Sequence, residues 1–515
     1  MNKYATGMNT IATRASRWAA LFLGVLLFLP ACTDEEVIFV ERPFFDDPPA
    51  GAAGYLGYVT SDPADQGLTV CGQCHVGKAA AWVTTAHADA WNTLQDSGHA
   101  QEFCEGCHTD NERGNASEEE GGWVATGDPR YYDVQCENCH GPGETHVMNP
   151  DATQPLASLA VGLELDSGCG DCHEGSHHGF VNEWAVSPHA QVVSFAAARE
   201  ECAACHRGQA TLIAWGENDD YVEKFSSEPL PVVCGVCHDP HGETAFEHQL
   251  RFPVNTNSIE IHLCSKCHNR RPIPDPGSSH GLAPHAPESQ LILGSAGWIP
   301  PGTPIDEGEI RGTHGTEANP ELCATCHLPS FTVEDELTGE FVINVFGHLF
   351  NPIPCVDEQG IPQPFPNECS LSPDERSYMS CVDAGCHGTE QAAASALTAA
   401  SLRMERLVEE LLGLLLIVDP NLDEPGGEID PTNPTFTTAE GAFFNMELAE
   451  HGSEEFGTDN VLGSTTHNPF FMEAILIGSI DVVEIVYADV LPDVAISGTD
   501  WKAELQAVLQ RAGVR

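Results

Sequence analysis

Nine times in this 515-residue chain, a pair of cysteines is followed at once by a histidine. Seven copies form one run: Cys71, Cys74 and His75; Cys104, Cys107 and His108; Cys136, Cys139 and His140; Cys169, Cys172 and His173; Cys202, Cys205 and His206; Cys234, Cys237 and His238; Cys264, Cys267 and His268. An eighth, Cys323, Cys326 and His327, keeps the two-residue gap. A ninth, Cys381, Cys386 and His387, has four residues between its cysteines. Two thiols at the short spacing reach the two vinyl groups of one porphyrin, and the adjacent histidine can bind the iron from one side. Cys-x-x-Cys-His is therefore the attachment signature of c-type haem. The four-residue version serves the same way with two residues looped out. Structural zinc, the rival chemistry, needs four ligands converging from paired half-sites. A histidine after every pair favours haem, so the sequence predicts nine covalently attached haem c groups.

Of the 24 histidines, 15 lie outside the motifs, enough to give each iron a second imidazole. Two imidazoles per iron suit electron transfer, whereas an open position suits catalysis. His87, His146, His189, His241, His285, His314, His348 and His467 stand in recurrent or distinctive contexts and are the expected distal ligands. His99, His248, His262 and His451 read as ordinary surface histidines, and His177, His178 and His280 are left unassigned.

The elements that must hold these groups repeat. Cys71 to Cys169, Cys104 to Cys202 and Cys136 to Cys234 are each 98 residues apart. The first motif of each trio is followed by Trp-x4-His, as Trp82 with His87 and Trp184 with His189. The third opens a Gly/Pro-rich turn with another histidine, His146 or His241. A trihaem module duplicated in tandem explains these offsets, apart from a four-residue shift that contains His177 and His178.

Outside the motifs the texture changes several times. Residues 1–31 read as a secretory signal of lipoprotein type, with an apolar stretch from Trp18 to Leu29 too short to span a bilayer comfortably. Leu29-Pro30-Ala31-Cys32 resembles a lipobox and makes Cys32 the expected lipidation site. Residues 32–66 read as a flexible acidic tether, 67–270 as a seven-haem region, and 271–387 as a loop-rich two-haem region. Cys355 and Cys369 belong to no motif and are expected to pair as a disulfide. Residues 388–515 read as a helical cap. Within it, Leu397, Ala400, Met404, Leu407, Leu411, Leu414 and Val418 form an amphipathic stripe ended by Pro420. Thr437 with Glu440 resembles a capping box, and Asn468-Pro469 opens a further helix. The expected fold is mainly α with much irregular coil, built around a chain of stacked haems.

Acidic residues outnumber basic ones by 77 to 21. Nucleic acid and anionic lipid faces are thereby excluded as partners, leaving a lipid anchor as the means of membrane attachment. The dispersed acids read first as a solubility device and second as steering for a basic redox protein.

The run from Cys136 to His146 (CENCHGPGETH), with Trp82 to Ala88 and Trp184 to Ala190, resembles the tetrahaem electron-accepting partner of hydroxylamine oxidoreductase and related multihaem cytochromes. His467-Asn468-Pro469 is similar to the late distal histidine of several such proteins. The resemblance implies electron relay, with redox partner proteins that are cytochromes or quinol-linked donors. Related nitrite and tetrathionate reductases carry lysine in place of one motif histidine, and all nine motifs here end in histidine. No tyrosine can be assigned the cross-link that hydroxylamine oxidases need. The expectation is thus an exported nonahaem electron carrier rather than an enzyme, placed in the periplasm or at the cell surface as an outer-membrane lipoprotein. An oxidoreductase of nitrogen or sulfur oxyanions with one open haem is the first alternative. A structural subunit of a larger electron conduit is the second.

Overall fold

A computed structural model describes residues 52–514, apart from 65, 162–167, 176–177, 276–282, 336, 365–367, 384, 421–436, 452–460 and 493–496. The signal segment, Cys32, His177 and His280 therefore lie outside the described residues. The fold is mainly helical with extensive coil, and its only sheet among the described residues is a two-stranded hairpin.

The helices of the motif-bearing region are short, and each of the nine motifs overlaps a turn of helix, as in Cys136–His140 and Cys234–Cys237. That turn does chemical work. The amide of His75 donates to the Cys71 carbonyl at 3.0 Å, and His173, His238, His268 and His327 repeat the bond to their own first cysteine. A bond across four residues brings the first cysteine and the histidine to one side of the chain. In the stretched ninth motif the His387 amide reaches across six residues to the Cys381 carbonyl at 3.2 Å, so the closure survives the longer gap.

The tandem repeat is visible in the hydrogen bonding. Trp82 Nε1 donates to the Val134 carbonyl at 3.0 Å, and Trp184 Nε1 to Val232 at 2.9 Å. The amides of Val134 and Val232 return bonds to the carbonyls of His87 and His189. In each module the tryptophan thus ties the histidine-bearing loop to the backbone two residues ahead of the third motif. This is the physical reason for Trp-x4-His.

Part of the stretch expected to be tether, residues 52–64, is folded. From Ala52 the chain is packed, with Tyr55 and Tyr58 buried. The amides of Leu56 and Gly57 both donate to Glu137 Oε2 at 2.9 Å, and Gly143 donates to Oε1 at 2.7 Å. Glu137 is one of the variable residues inside the third motif. Its burial pushes the carboxyl pKa up, while these amides favour the charged form.

Residues 271–387 form the antiparallel hairpin β1 (Phe331–Glu334) and β2 (Phe341–Val345), with Phe331 opposite Val345. Both Glu183 carboxylate oxygens accept from the loop that follows, from Phe346 N at 2.8 Å and His348 N at 2.7 Å. Cys355 and Cys369 are joined as a disulfide. The buried Arg376 guanidinium lies across that loop, donating to the carbonyls of Ile353 and Cys369.

The C-terminal region holds most of the largest side-chain core among the described residues. Its helices are α1 (Glu390–Val418), α2 (Thr438–Glu450), α3 (Leu462–His467), α4 (Pro469–Val486) and α5 (Trp501–Arg511). The stripe of α1 is buried at Ala400, Met404, Leu407, Leu411 and Leu414, against α4, which is buried without a break from Phe471 to Ile480. Thr437 and Glu440 cap α2 reciprocally, and Asn468 Oδ1 accepts from Phe471 N to start α4. The Asn468 side-chain amide also donates to the carbonyls of Leu291 and Ile310, which fixes this helix start to the preceding region. No described helix is long and apolar enough to cross a membrane.

Candidate haem-binding site

Each motif histidine faces one other imidazole. Ring centres are 6.2 Å apart for His75–His146, 6.4 Å for His108–His178, 6.2 Å for His140–His241 and 6.1 Å for His173–His87. They are 5.9 Å apart for His206–His285, 6.4 Å for His238–His348 and 6.3 Å for His268–His189. The last two pairs are His327–His467 at 6.2 Å and His387–His314 at 6.4 Å. Such rings are too far apart to touch. Two imidazoles on opposite sides of one metal, each bonded at ~2.0 Å, place their centres ~6 Å apart. The residues therefore fit an iron held between them.

The outer nitrogens support the same chemistry. Nδ1 of His108 meets the Ala90 carbonyl at 2.9 Å, that of His140 meets Pro155 at 2.7 Å, and that of His146 meets Thr153 at 2.7 Å. His238, His314, His327 and His348 likewise meet backbone oxygens, and His268 meets the Glu288 carboxylate at 3.3 Å. A donor bond from Nδ1 fixes the tautomer that leaves Nε2 a lone pair for metal. Burial pushes the pKa of His173, His285, His348 and His467 down to about 4 and that of His189 to about 3. These rings are neutral at pH 7, which is the form that ligates.

All eight histidines expected to be distal stand opposite a motif histidine. The ninth partner, His178, was unassigned. It lies at the four-residue shift that breaks the module repeat, and it is exposed. Spacing held a clue, since His146 follows His75 by 71 residues and His178 follows His108 by 70. Of the four expected surface histidines, His99 and His248 are exposed, but His262 is wholly buried. Its Nε2 meets the Glu321 carbonyl at 3.2 Å, and its Nδ1 accepts from the Cys264 amide, so it braces the seventh motif. His451 is half-buried and accepts from the Ala286 amide at 3.1 Å.

Pairing follows the duplication except at the first motif, where His75 faces His146 while its module counterpart His173 faces His87. His108–His178 corresponds to His206–His285, His140–His241 to His238–His348, and His173–His87 to His268–His189. The regions expected from sequence therefore share sites. His285 and His348 come from beyond residue 270, and His467 reaches back from α3 to His327. Two further groups could hold a metal ion among the described residues. His262, Cys264 and Cys323 draw their thiols from two different motifs, and Asp219, His241 and Glu243 have Lys78 bound to both carboxylates at 2.5 and 2.6 Å. Neither is a four-ligand zinc set.

A family described as cytochrome c554 and c-prime matches residues 70–141. Over 102 residues the chain is 29% identical to cytochrome c-554 of Nitrosomonas europaea, covering 16% of this chain and 41% of that protein. The chain thus spans less than half the length of that relative. In three dimensions it is similar to the outer cell wall cytochrome OcwA, with a TM-score of 0.51 over 84% of this chain and all of that one. Identity there is 16%, a likeness of fold.

Proposed function

We propose that this chain is a multihaem c-type cytochrome of electron transfer, a nonahaem relay in which every iron would carry two imidazoles. The observation that carries this reading is the nine histidine pairs, with ring centres 5.9 to 6.4 Å apart. The 18 motif cysteines would hold the porphyrins by thioether bonds, the motif histidines would bind iron from one side, and the paired histidines from the other. Haem c supplies one-electron chemistry when bound. The protein's part is spacing, burial and fixed ligands, which let iron change oxidation state with little change in geometry.

Placement is part of the proposal. An exported protein held at the outer membrane or cell surface by lipid on Cys32 agrees with the lipobox-like end of the signal segment. The outer cell wall location named for the structural relative also supports surface exposure. Cytochromes or quinol-linked donors are the proposed redox partners, with assembly into a larger conduit as a second reading. Cys32→Ser should release the protein from membranes, and unchanged association would refer the attachment to a partner protein.

The experiment that separates relay from enzyme is carbon monoxide binding by the reduced protein, run beside assays with nitrite and hydroxylamine. The relay binds little carbon monoxide and turns over neither substrate. A site that binds carbon monoxide and shows turnover would make the protein an oxidoreductase.

A further inference from the structure

Sites are numbered 1 to 9 in the order of their motifs. The duplication makes sites 4 and 7 counterparts, since His173 faces His87 and His268 faces His189. Each of these two motifs is followed by a six-residue helix, Phe180–Ala185 after the fourth and Glu288–Leu293 after the seventh. Both helices dock in the same way. The amide of Val181, second in its helix, donates to the His173 carbonyl at 3.1 Å, and the amide of Ser289, second in its own, donates to the His268 carbonyl at 3.1 Å. The first residue of each helix therefore stands against the motif imidazole, and there the two sites part. Phe180 sets its ring edge-on, with its centre 5.7 Å from that of His173. Glu288 puts Oε2 3.3 Å from Nδ1 of His268.

Glu288 is not a loose surface acid. Ser289 Oγ bonds Ser265 Oγ, inside the seventh motif, at 2.8 Å, and the Arg270 amide donates to the Ala286 carbonyl at 3.0 Å. From the other side His451, which ends α2, accepts the Ala286 amide at 3.1 Å and lies 3.6 Å from Glu288 Oε1. Residues 286–289 are thus fastened both to the seventh motif and to the C-terminal helices.

The seven other outer nitrogens named above meet backbone carbonyls. A carbonyl fixes the tautomer. A carboxylate does so and also draws the Nδ1 proton toward itself, which makes the ring a stronger donor to a metal. Ferric iron carries one more positive charge than ferrous iron, so a stronger donor and a nearby negative charge both favour the oxidised state.

We infer that Glu288 is a positioning residue for His268 that lowers the reduction potential of site 7, whereas its counterpart Phe180 brings no charge to site 4. This rests on the nine-site reading. Two sites copied from one module, with the same arrangement of histidines, are then set apart by the first residue of one short helix. Glu288 makes site 7 release an electron more readily than it would with an uncharged residue in that place.

Redox titration of the haem-loaded protein tests this. Glu288→Gln keeps an oxygen for Nδ1 and removes the charge. One of the nine midpoint potentials should rise, its reduction equilibrium shifting roughly tenfold, or ~59 mV for one electron. Haem content should be unchanged, and the reduced protein should still bind little carbon monoxide. Glu288→Asp, which keeps the charge on a shorter side chain, should move the same potential less. Nine unmoved potentials in the glutamine variant would overturn the inference. An equal shift in the aspartate variant would do so too, because geometry rather than charge would then be the cause. Haem loss or a newly open iron in either variant would reduce Glu288 to a structural support. A wild-type protein with fewer than nine haems, or with an open iron, would instead strike the nine-site reading.

Discussion

Residues 52–270 and 388–514 bury their apolar side chains in different ways. In the C-terminal region Met404, Leu411, Met472 and Ile475 are all 0% exposed, gathered around α4 in one continuous core. In the motif region the largest cluster has six buried members, centred on Trp184 and Leu212, while Phe103 is 82%, Phe225 86% and Met148 76% exposed. The C-terminal helices obtain their stability from one another. The motif region offers apolar side chains and paired imidazoles to groups that are not amino acids, and its backbone is ordered by local clamps such as Trp82, Trp184 and Glu137. One chain thus combines a region that side-chain packing can fold with a region of small side-chain clusters, whose remaining apolar bulk the proposed haems would supply.

Withholding haem should separate the two regions most sharply. A chain expressed without haem attachment should lose protease resistance across residues 52–270 and keep a resistant C-terminal fragment. Equal digestion of both would break the distinction. A smaller change opens a single site. His467→Ala should create one high-spin, carbon-monoxide-binding iron, leaving the others low-spin. His178→Ala should do the same at site 2, with faster carbon monoxide binding because His178 is exposed whereas His467 is half-buried. If either variant stays closed, that residue is not a ligand.

Perturbing the helical core should have the opposite character. Met404→Ala should cost ~2–5 kcal/mol of stability in thermal or denaturant unfolding, with an unchanged haem spectrum. The smallest effect is expected at Glu473, a buried carboxylate whose oxygens meet Arg403 Nε at 3.0 Å and Arg511 Nη2 at 2.6 Å. Both arginines are more than a third exposed, so solvent screens the pair, and Glu473→Gln should cost only about 1 kcal/mol in the same assay. A shift in the haem spectrum of either variant would mean that the helical core helps to set the haem sites.

The two regions also differed in how legible they were. The stripe of α1, the capping box at Thr437 and the start of α4 at Asn468 follow from local rules of periodicity and capping, and the helices form there. α5 and the β1–β2 hairpin went unread, because each is short and is defined by the partner it packs on. In the motif region the cysteines and their histidines were plain, since both lie on one turn of chain. Eight of the paired histidines could be named from context. Which motif each would face could not, because partners such as His238 and His348 are 110 residues apart, and contacts such as the Glu183 carboxylate on the His348 amide carry no sequence signal. His178 was missed because it sits where the module repeat is out of step. The burial of His262 was missed because its partner is the carbonyl of Glu321, which carries no sequence signal.

The central claim is nine sites, each closed by two histidines. Intact mass of the purified protein, combined with a low-temperature magnetic circular dichroism count of high-spin against low-spin haem, tests it most directly. The account predicts a mass increase of nine haems and no high-spin component in the oxidised protein. Eight haems would remove the stretched Cys381 motif. A high-spin fraction of one haem in nine would contradict the closed relay and place an open iron in the molecule.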